Sequence, residues 1–324
     1  MGYGPLFGTA RFSGIDNITD PLKLRPDGRS AYFTVGLNVD LDDEKRILRR
    51  SGYSRKISGS FHSLWSREDR CYAVKDTSLV RVNDDYSTDV VISQVDPFAR
   101  VSYFYQAGRI YLTNGNIIGY IDESDVFRTF SSISQRYKDP MPPGQLLCFY
   151  KNRLLVARDN LIIASDAEVP HYYDIRTNKR PMKGRITMLM PVTDGVFFSA
   201  DAATHFAGGD DFLKSRRIKK TNSAAIEGTA AFLDGEEIGE ADLGTAVLWT
   251  SREGVFIGAP GGRVKNLTWD HYVMDNATLG AAIVRDDLPF VQYLSTYELP
   301  VDEGLVEVDV TMPSWRVSAI GTIT

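Results

Sequence analysis

The chain has 324 residues, 43% of them hydrophobic and 24% charged, enough for a sizeable core in one large all-β domain or two smaller ones. A net charge of −5 excludes a global basic field that would recruit nucleic acid or anionic lipid. The two cysteines, Cys71 and Cys148, both lie in apolar runs; they read as small buried hydrophobes, with no disulfide framework or metal site expected.

In chain order, residues 1–27 come first. They contain Gly and Pro and the stretch "FSGIDNITDPLKLRPDG" at 12–28. No basic region precedes an apolar core, so a secretory signal is not expected, and no apolar run is long enough to span a membrane. The segment reads as an extended arm of the kind that a neighbour orders. Without a secretion signal, the sequons at Asn17, Asn266 and Asn276 read as chance matches. Next, "NVDLDDEKRILRRSGY" at 38–53 places two short strands around an acidic turn and ends in two arginines.

Six hairpins then align under one another: 63–74, 102–114, 146–159, 187–200, 246–259 and 281–293. Each is an apolar strand, a charged or glycine turn, and a second apolar strand. The turns fall at Arg70, Arg109, Arg153, Gly195, Gly254 and Asp287, mostly at roughly the forty-residue period of a four-stranded propeller blade. Weaker third and fourth strands follow at 78–83, 89–93, 116–122, 160–166 and 263–269. The fold class predicted is all-β, a β-propeller of about six blades with five to seven fitting, against a sandwich or barrel. Little helix is expected beyond a turn or two near 97–100. The longer interval between Gly195 and Gly254 holds 226–244, which reads as a loop inserted into or between blades. The predicted division is an arm at 1–27 and a propeller at 28–324, with an N-terminal strand completing the last blade and closing the ring.

His62, His171, His205 and His271 are scattered, with no metal-binding spacing among them. The acidic stretches at 40–44 and 234–242 do not follow a calcium loop, and "GAPGG" at 258–262 reads as a β-turn rather than a phosphate loop. No nucleophile motif is present, so no catalytic residue, metal or cofactor is expected. Asp122, Asp166 and Asp201 are the carboxylates that a carbohydrate-active propeller, hydrolase or lectin, would use. A peptide-binding scaffold shares the fold as a third reading.

Two basic stretches stand out. Arg46, Arg49, Arg50, Arg55 and Lys56 form one; Lys214, Arg216, Arg217, Lys219 and Lys220 put five cations within seven residues. Strand alternation would send Lys214, Arg216 and Lys220 one way and Arg217 and Lys219 the other. With an acidic chain and no aromatics interleaved, an acidic protein segment such as 234–242, on this chain or a neighbour, is favoured over nucleic acid as their partner.

The order "FSGIDNITDP" (12–21), "LNVDLDDEKRILRRSGY" (37–53) and "HSLW" (62–65) resembles the start of bacteriophage virion β-propellers, the tail nozzle or tail-hub proteins of short-tailed phages. "LIIASDAEVPHYYD" (161–174) is similar to a second family pattern, a strand, then Ser, then a short Pro-containing loop before an aromatic. The resemblance implies a non-enzymatic virion protein in a ring, usually of six subunits, below the portal and adaptor. Such a ring surrounds the channel through which viral DNA leaves, contacts fibres or spikes, and inserts in no membrane. It also implies that Asp40, Asp42 and Asp43 shape the turn and that Arg49 and Arg50 pair with carboxylates nearby. Together with the second basic run and the acidic residues Glu236 and Glu237, these are the expected interface residues.

Overall fold

A computed structural model describes residues 11–16, 18, 30–33, 39–41, 47–49, 54–67, 69–130, 135–236, 244–268, 277–285, 292–298 and 315–322. Among them the secondary structure is β throughout, apart from one 3-10 turn at Pro260–Gly262. The helical turn expected near 97–100 is a tight turn closed by the Ala99 amide on the Asp96 carbonyl. The chain divides into two compact units, residues 53–222 and residues 1–52 with 223–324.

In chain order, β1 (Arg11–Ile15) pairs in parallel with β2 (Ser30–Phe33), and β3 (Val39–Leu41) pairs antiparallel with β4 (Ile47–Arg49). Thus the described part of the expected arm forms a strand whose partner lies beyond residue 27. Closure of the last blade by an N-terminal strand is not among the described pairings.

The unit at 53–222 holds four consecutive four-stranded antiparallel sheets. The first is β5 (Phe61–Arg67), β6 (Arg70–Lys75), β7 (Ser78–Val82) and β8 (Thr88–Ile92). The second is β9 (Ser102–Gln106), β10 (Arg109–Thr113), β11 (Ile118–Ile121) and β12 (Phe127–Thr129). A short strand β13 (Lys138–Pro140) precedes the third, which comprises β14 (Leu146–Tyr150), β15 (Arg153–Arg158) and β16 (Leu161–Ala164). A detour, β17 (Tyr172–Asp174), pairs back with β13 before β18 (Lys179–Pro181) completes that sheet. The fourth is β19 (Met188–Val192), β20 (Gly195–Ala200), β21 (Ala203–Gly208) and β22 (Arg217–Lys219). In the other unit, β23 (Ala231–Asp234), β24 (Thr245–Ser251), β25 (Gly254–Ala259) and β26 (Arg263–Asn266) make a fifth such sheet. There too, β27 (Leu279–Arg285), β28 (Gln292–Glu298) and β29 (Trp315–Thr322) form a three-stranded one. Successive four-stranded antiparallel meanders are the blades of a multi-blade β-propeller, and the expected fold class is borne out.

The interval read as an inserted loop is corrected in part. The first four aligned hairpins are strands one and two of their blades, but 246–259 is strands two and three, β24 and β25. The missing first strand is β23, inside the segment read as a loop, and its connection to β24 runs through 235–244. The long interval is therefore largely a slip of one strand in phase.

These residues form these strands because the middle strands of the blades are covered by their neighbours, in blade three on both faces. A strand with one wet face alternates; one buried on both reads as a continuous apolar run. β20 is buried at every position, and so is all but the edge of β15 and β21. The core is a series of clusters between neighbours. Tyr72, Val74 and Leu79 of the first blade meet Ile110, Leu112 and Ile121 of the second. Tyr111 of the second meets Leu147, Leu154 and Val156 of the third, whose other face, with Cys148, Leu155 and Ile162, meets Leu189, Val196 and Phe198 of the fourth. Outer strands carry the charge: β22 is exposed at all three positions.

The tight hairpins need paired positive φ angles, the geometry that matches strand twist. Ala107 and Gly108 (50° and 78°), Lys151 and Asn152 (45° and 62°) and Asp201 and Ala202 (58° and 56°) supply it. Gly144 is required for a different reason. Its amide donates to the Thr113 hydroxyl at 3.0 Å, and that hydroxyl donates to the Gly144 carbonyl at 2.8 Å. A Cβ there would stand 2.1 Å from the Ala157 carbonyl oxygen.

Gly144→Ala is expected to destabilise by about 1–3 kcal/mol through forced separation of the backbones, and Leu155→Ala by about 2–5 kcal/mol through a core cavity. Denaturant unfolding of each variant against the parent measures both.

Candidate functional site

On the blade end where the first and third hairpin turns lie, a network joins blades one and two. Asp125, at the turn between β11 and β12, adopts a positive φ of 59°. Its carboxylate accepts from Arg70 at 3.1 Å, and also from Arg81 and the Tyr72 hydroxyl. Arg70 reaches on to the Asp122 carbonyl at 2.7 Å and the Gly108 carbonyl at 3.4 Å, and bonds the Tyr72 hydroxyl at 3.0 Å. One carboxylate thus ties two strands of the preceding blade to a turn of the next. Burial first, then the bond to Asp125, pushes the Tyr72 hydroxyl up to about 12, so it remains a donor.

Two hollows flank this tie. One, of ≈ 220 Å³, is lined by Trp65, Arg67, Arg70, Tyr105, Gly108 and Glu123; the other, of ≈ 510 Å³, by Ala107, Arg109, Tyr111, Asp122, Glu123 and Ser124. Their aromatic faces are already taken. In the first, the Arg67 guanidinium lies 4.2 Å over Tyr105 and Trp65 stacks on Tyr103 at 5.9 Å; in the second, Tyr111 packs edge-on to Phe149 at 4.5 Å, and Arg109 lies 4.8 Å over Tyr120.

The candidate carboxylates of a catalytic reading sit in three separate blade neighbourhoods, each with its own cation. Asp122 pairs with Arg128 at 2.6 Å and accepts the Ser124 and Val126 amides; the Arg128 bond is the main reason its pKa is lowered. Asp166 pairs with Lys138 and accepts from Asn178 at 2.9 Å. Asp201 pairs with Arg217 at 3.5 Å. Of the histidines, His62 bonds Ser63 at 2.8 Å, His171 packs 4.4 Å from Tyr172 and His205 stacks 5.4 Å from Phe198. Burial is the first cause lowering the pKa of all three, and His271 lies outside the described residues. Both thiols are free, with Cys148 fully buried. Among the described residues no group of three or more His, Cys, Asp or Glu could hold a metal ion.

The expected interface residues fall as follows. Asp40 is in β3 opposite Leu48, and Arg49 ends β4, exposed. Asp42, Asp43, Arg50 and Glu237 lie outside the described residues, while Glu236 is exposed just after β23. Lys214, Arg216, Arg217, Lys219 and Lys220 stand on and around β22. Within β22, Arg217 and Lys219 alternate with Ile218, and all three positions are exposed. Lys214 pairs with Asp211 at 3.5 Å, and Lys220 lies 5.7 Å over Phe206. The Asp125 tie was missed in the sequence. Its available signal was the arginine repeating at the start of the second strand: Arg70 on the tie, Arg109 over Tyr120, and Arg153 donating to the Ser165 carbonyl at 2.7 Å.

Similar solved structures include the extracellular domain of the one-component system BT4673 from B. thetaiotaomicron, at 11% identity over 76% of this chain and 33% of that one, with a TM-score of 0.49. The Neurospora crassa Pan2 WD40 domain matches at 8% identity over 73% of this chain and 74% of that one (TM-score 0.46). A catalytically inactive virginiamycin B lyase from Staphylococcus aureus with quinupristin matches at 12% over 79% and 83% (TM-score 0.42). This chain spans a third of the first of these, and no functional residue is carried over from any of them. No family model matches the chain, and no curated protein matches it.

Asp125→Ala leaves Arg70 and Arg81 half-buried without their shared carboxylate, and a loss of about 1–3 kcal/mol is expected after allowance for solvent at their exposed edges. The Tyr72 hydroxyl adds a pH signature. An unfolded tyrosine ionises near pH 10 and the folded one near 12, so its stabilisation is whole below pH 10 and is lost between pH 10 and about 12. Tyr72→Phe is expected to flatten the fall in stability across that window, measured by denaturant melts at stepped alkaline pH.

Proposed function

We propose that the chain is a non-enzymatic structural component of a bacteriophage tail. In this reading, propeller subunits assemble into the nozzle or hub ring around the DNA exit channel and contact adaptor, portal and fibre or spike proteins. The observation that carries it is the opening order of motifs, in which "NVDLDDEKRILRR" supplies the strands β3 and β4, paired antiparallel with Val39 opposite Arg49. Two further features support it. The carboxylates that a glycosidase reading would use are spread over three neighbourhoods and engaged by Arg128, Lys138 and Arg217, which suits turns and blade edges more than acid and base work. A subunit of net charge −5 suits a channel along which DNA must slide without sticking to cationic walls.

The test is the mass of the purified chain, alone and after mixing with lysate of cells infected by a phage that encodes it. Monomers or small oligomers alone, and a ring-sized particle containing adaptor or portal protein after mixing, are expected. No virion protein in the recovered particle, together with binding or turnover of glycans on an array, would overturn the reading in favour of a carbohydrate-active propeller.

A further inference from the structure

The outer rim of blades three and four is basic in a chain that is acidic overall. Residues 179–185 carry Lys179, Arg180, Lys183 and Arg185 with no acid, and residues 211–220 carry five cations against Asp211. Each stretch is +4, so the remainder of the chain carries −13. The two stretches form one surface. The Arg180 guanidinium of β18 donates to the Phe212 carbonyl, to the Ser215 carbonyl at 2.9 Å and to the Ser215 hydroxyl at 3.1 Å. Arg217 of β22 stands 3.6 Å from the Met182 sulfur. Local partners answer only part of this charge: Asp201 takes Arg217, Asp211 takes Lys214, and Arg185 is engaged as well. Among the described residues, no ion pair is formed by Arg216 or Lys219, which are exposed on either side of Ile218, itself 46% exposed.

We propose that this rim is a docking surface for the acidic segment 236–240 of a second copy of the chain. The complementarity is residue by residue. The rim reads Arg216-Arg217-Ile218-Lys219-Lys220, and the segment reads Glu236-Glu237-Ile238-Gly239-Glu240. Laid antiparallel, Ile218 meets Ile238, Lys219 meets Glu237, Lys220 meets Glu236, and Arg216 meets Glu240. Among the described residues no strand pairs with the outer edge of β22; that edge offers the backbone groups that an added strand takes up, and the side chains then set partner and register. Charges of one sign on the rim also keep two rims from pairing with each other. The two sides of the contact are different parts of the chain, so the interface is heterologous, and repetition gives a closed ring or an open filament. For the closed form this deepens the assembly reading above and rests on it.

Sedimentation velocity of the full chain over a range of concentrations, at low and high salt, tests the contact. One variant carries Arg216→Glu with Lys219→Glu; the other carries Glu237→Lys with Glu240→Lys. Salt-sensitive self-association is expected for the parent and about tenfold or more weakening for either variant. Recovery is expected when the two variants are mixed or when all four changes sit in one chain. Circular dichroism of each variant establishes that the blades remain folded. A parent that is monomeric throughout, or association indifferent to both variants, overturns the docking; ring formation with virion proteins would in that case leave the tail reading standing. If the variants only lower and jointly restore the melting temperature, with no change in mass, the pairing is within one chain and the proposal fails. It fails equally if rim reversal abolishes binding to a single-stranded oligonucleotide and leaves association between copies intact.

Discussion

The structure depends on one constraint: the apolar middle strands of a sheet must be covered by a neighbouring sheet, as both faces of blade three are. A lone blade would expose the apolar sides of β15 or β20 to water on one face or the other. Packed in series, blades three and four share Leu155, Ile162, Val196 and Phe198 in one cluster, and blades two and three share Tyr111, Leu154 and Val156 in another. The same constraint puts apolar strands in the middle of the blades, while fourth strands such as β18 and β22 are charged and largely exposed.

Apolar contact is non-directional, so it does not by itself fix how one blade is turned against the next. Polar ties do. Thr113 and Gly144 exchange hydrogen bonds between blades two and three, the Leu147 amide reaches the Ser102 hydroxyl at 3.2 Å, and Tyr150 donates to the Gly209 carbonyl at 2.6 Å between blades three and four. Tyr72 plays a related part through Asp125 between blades one and two. In the other unit the buried Tyr293 hydroxyl donates to the Thr229 carbonyl at 2.6 Å and bonds Thr250 at 2.9 Å, joining β28 to blade five. In each case a polar group that would be costly to bury alone is satisfied by one specific backbone or side-chain partner, so the apolar interface has one good alignment.

The hairpins were legible in the sequence because burial on both faces writes continuous apolar runs, interrupted only where Ala107 with Gly108 or Lys151 with Asn152 must turn. Blade five was read out of phase because its first strand, β23, has four residues with only Leu233 and Phe232 strongly apolar, and it sits among glycines and acids. The Asp125 tie was not legible because "DESD" reads as an ordinary polar turn. Its partners, Arg70 and Arg81, are 55 and 44 residues upstream, and only the fold brings them to it. The basic run was legible as a run but not as half of a larger surface. Its companion at 179–185 joins it through Arg180, whose role depends on where Phe212 and Ser215 place their oxygens.

Charge placement narrows where recognition can occur. The middle strands are consumed by packing, and Asp122, Asp125, Asp166 and Asp201 are consumed by holding turns and edges. In the outer strands and connections the chain is polarised: eight net positive charges on two adjoining stretches, against thirteen net negative in the rest of the chain. Self-repulsion would favour spreading such charges evenly in a protein that acts alone, since clustering cations costs energy even when solvent screens them. Burial and the nearby Arg217 already lower the pKa of Arg180 beneath this patch. A surface that bears this cost is readily understood when an acidic partner relieves it. The acidic segment proposed to dock there has the same length, with Ile238 at its centre as Ile218 is at the centre of the basic one.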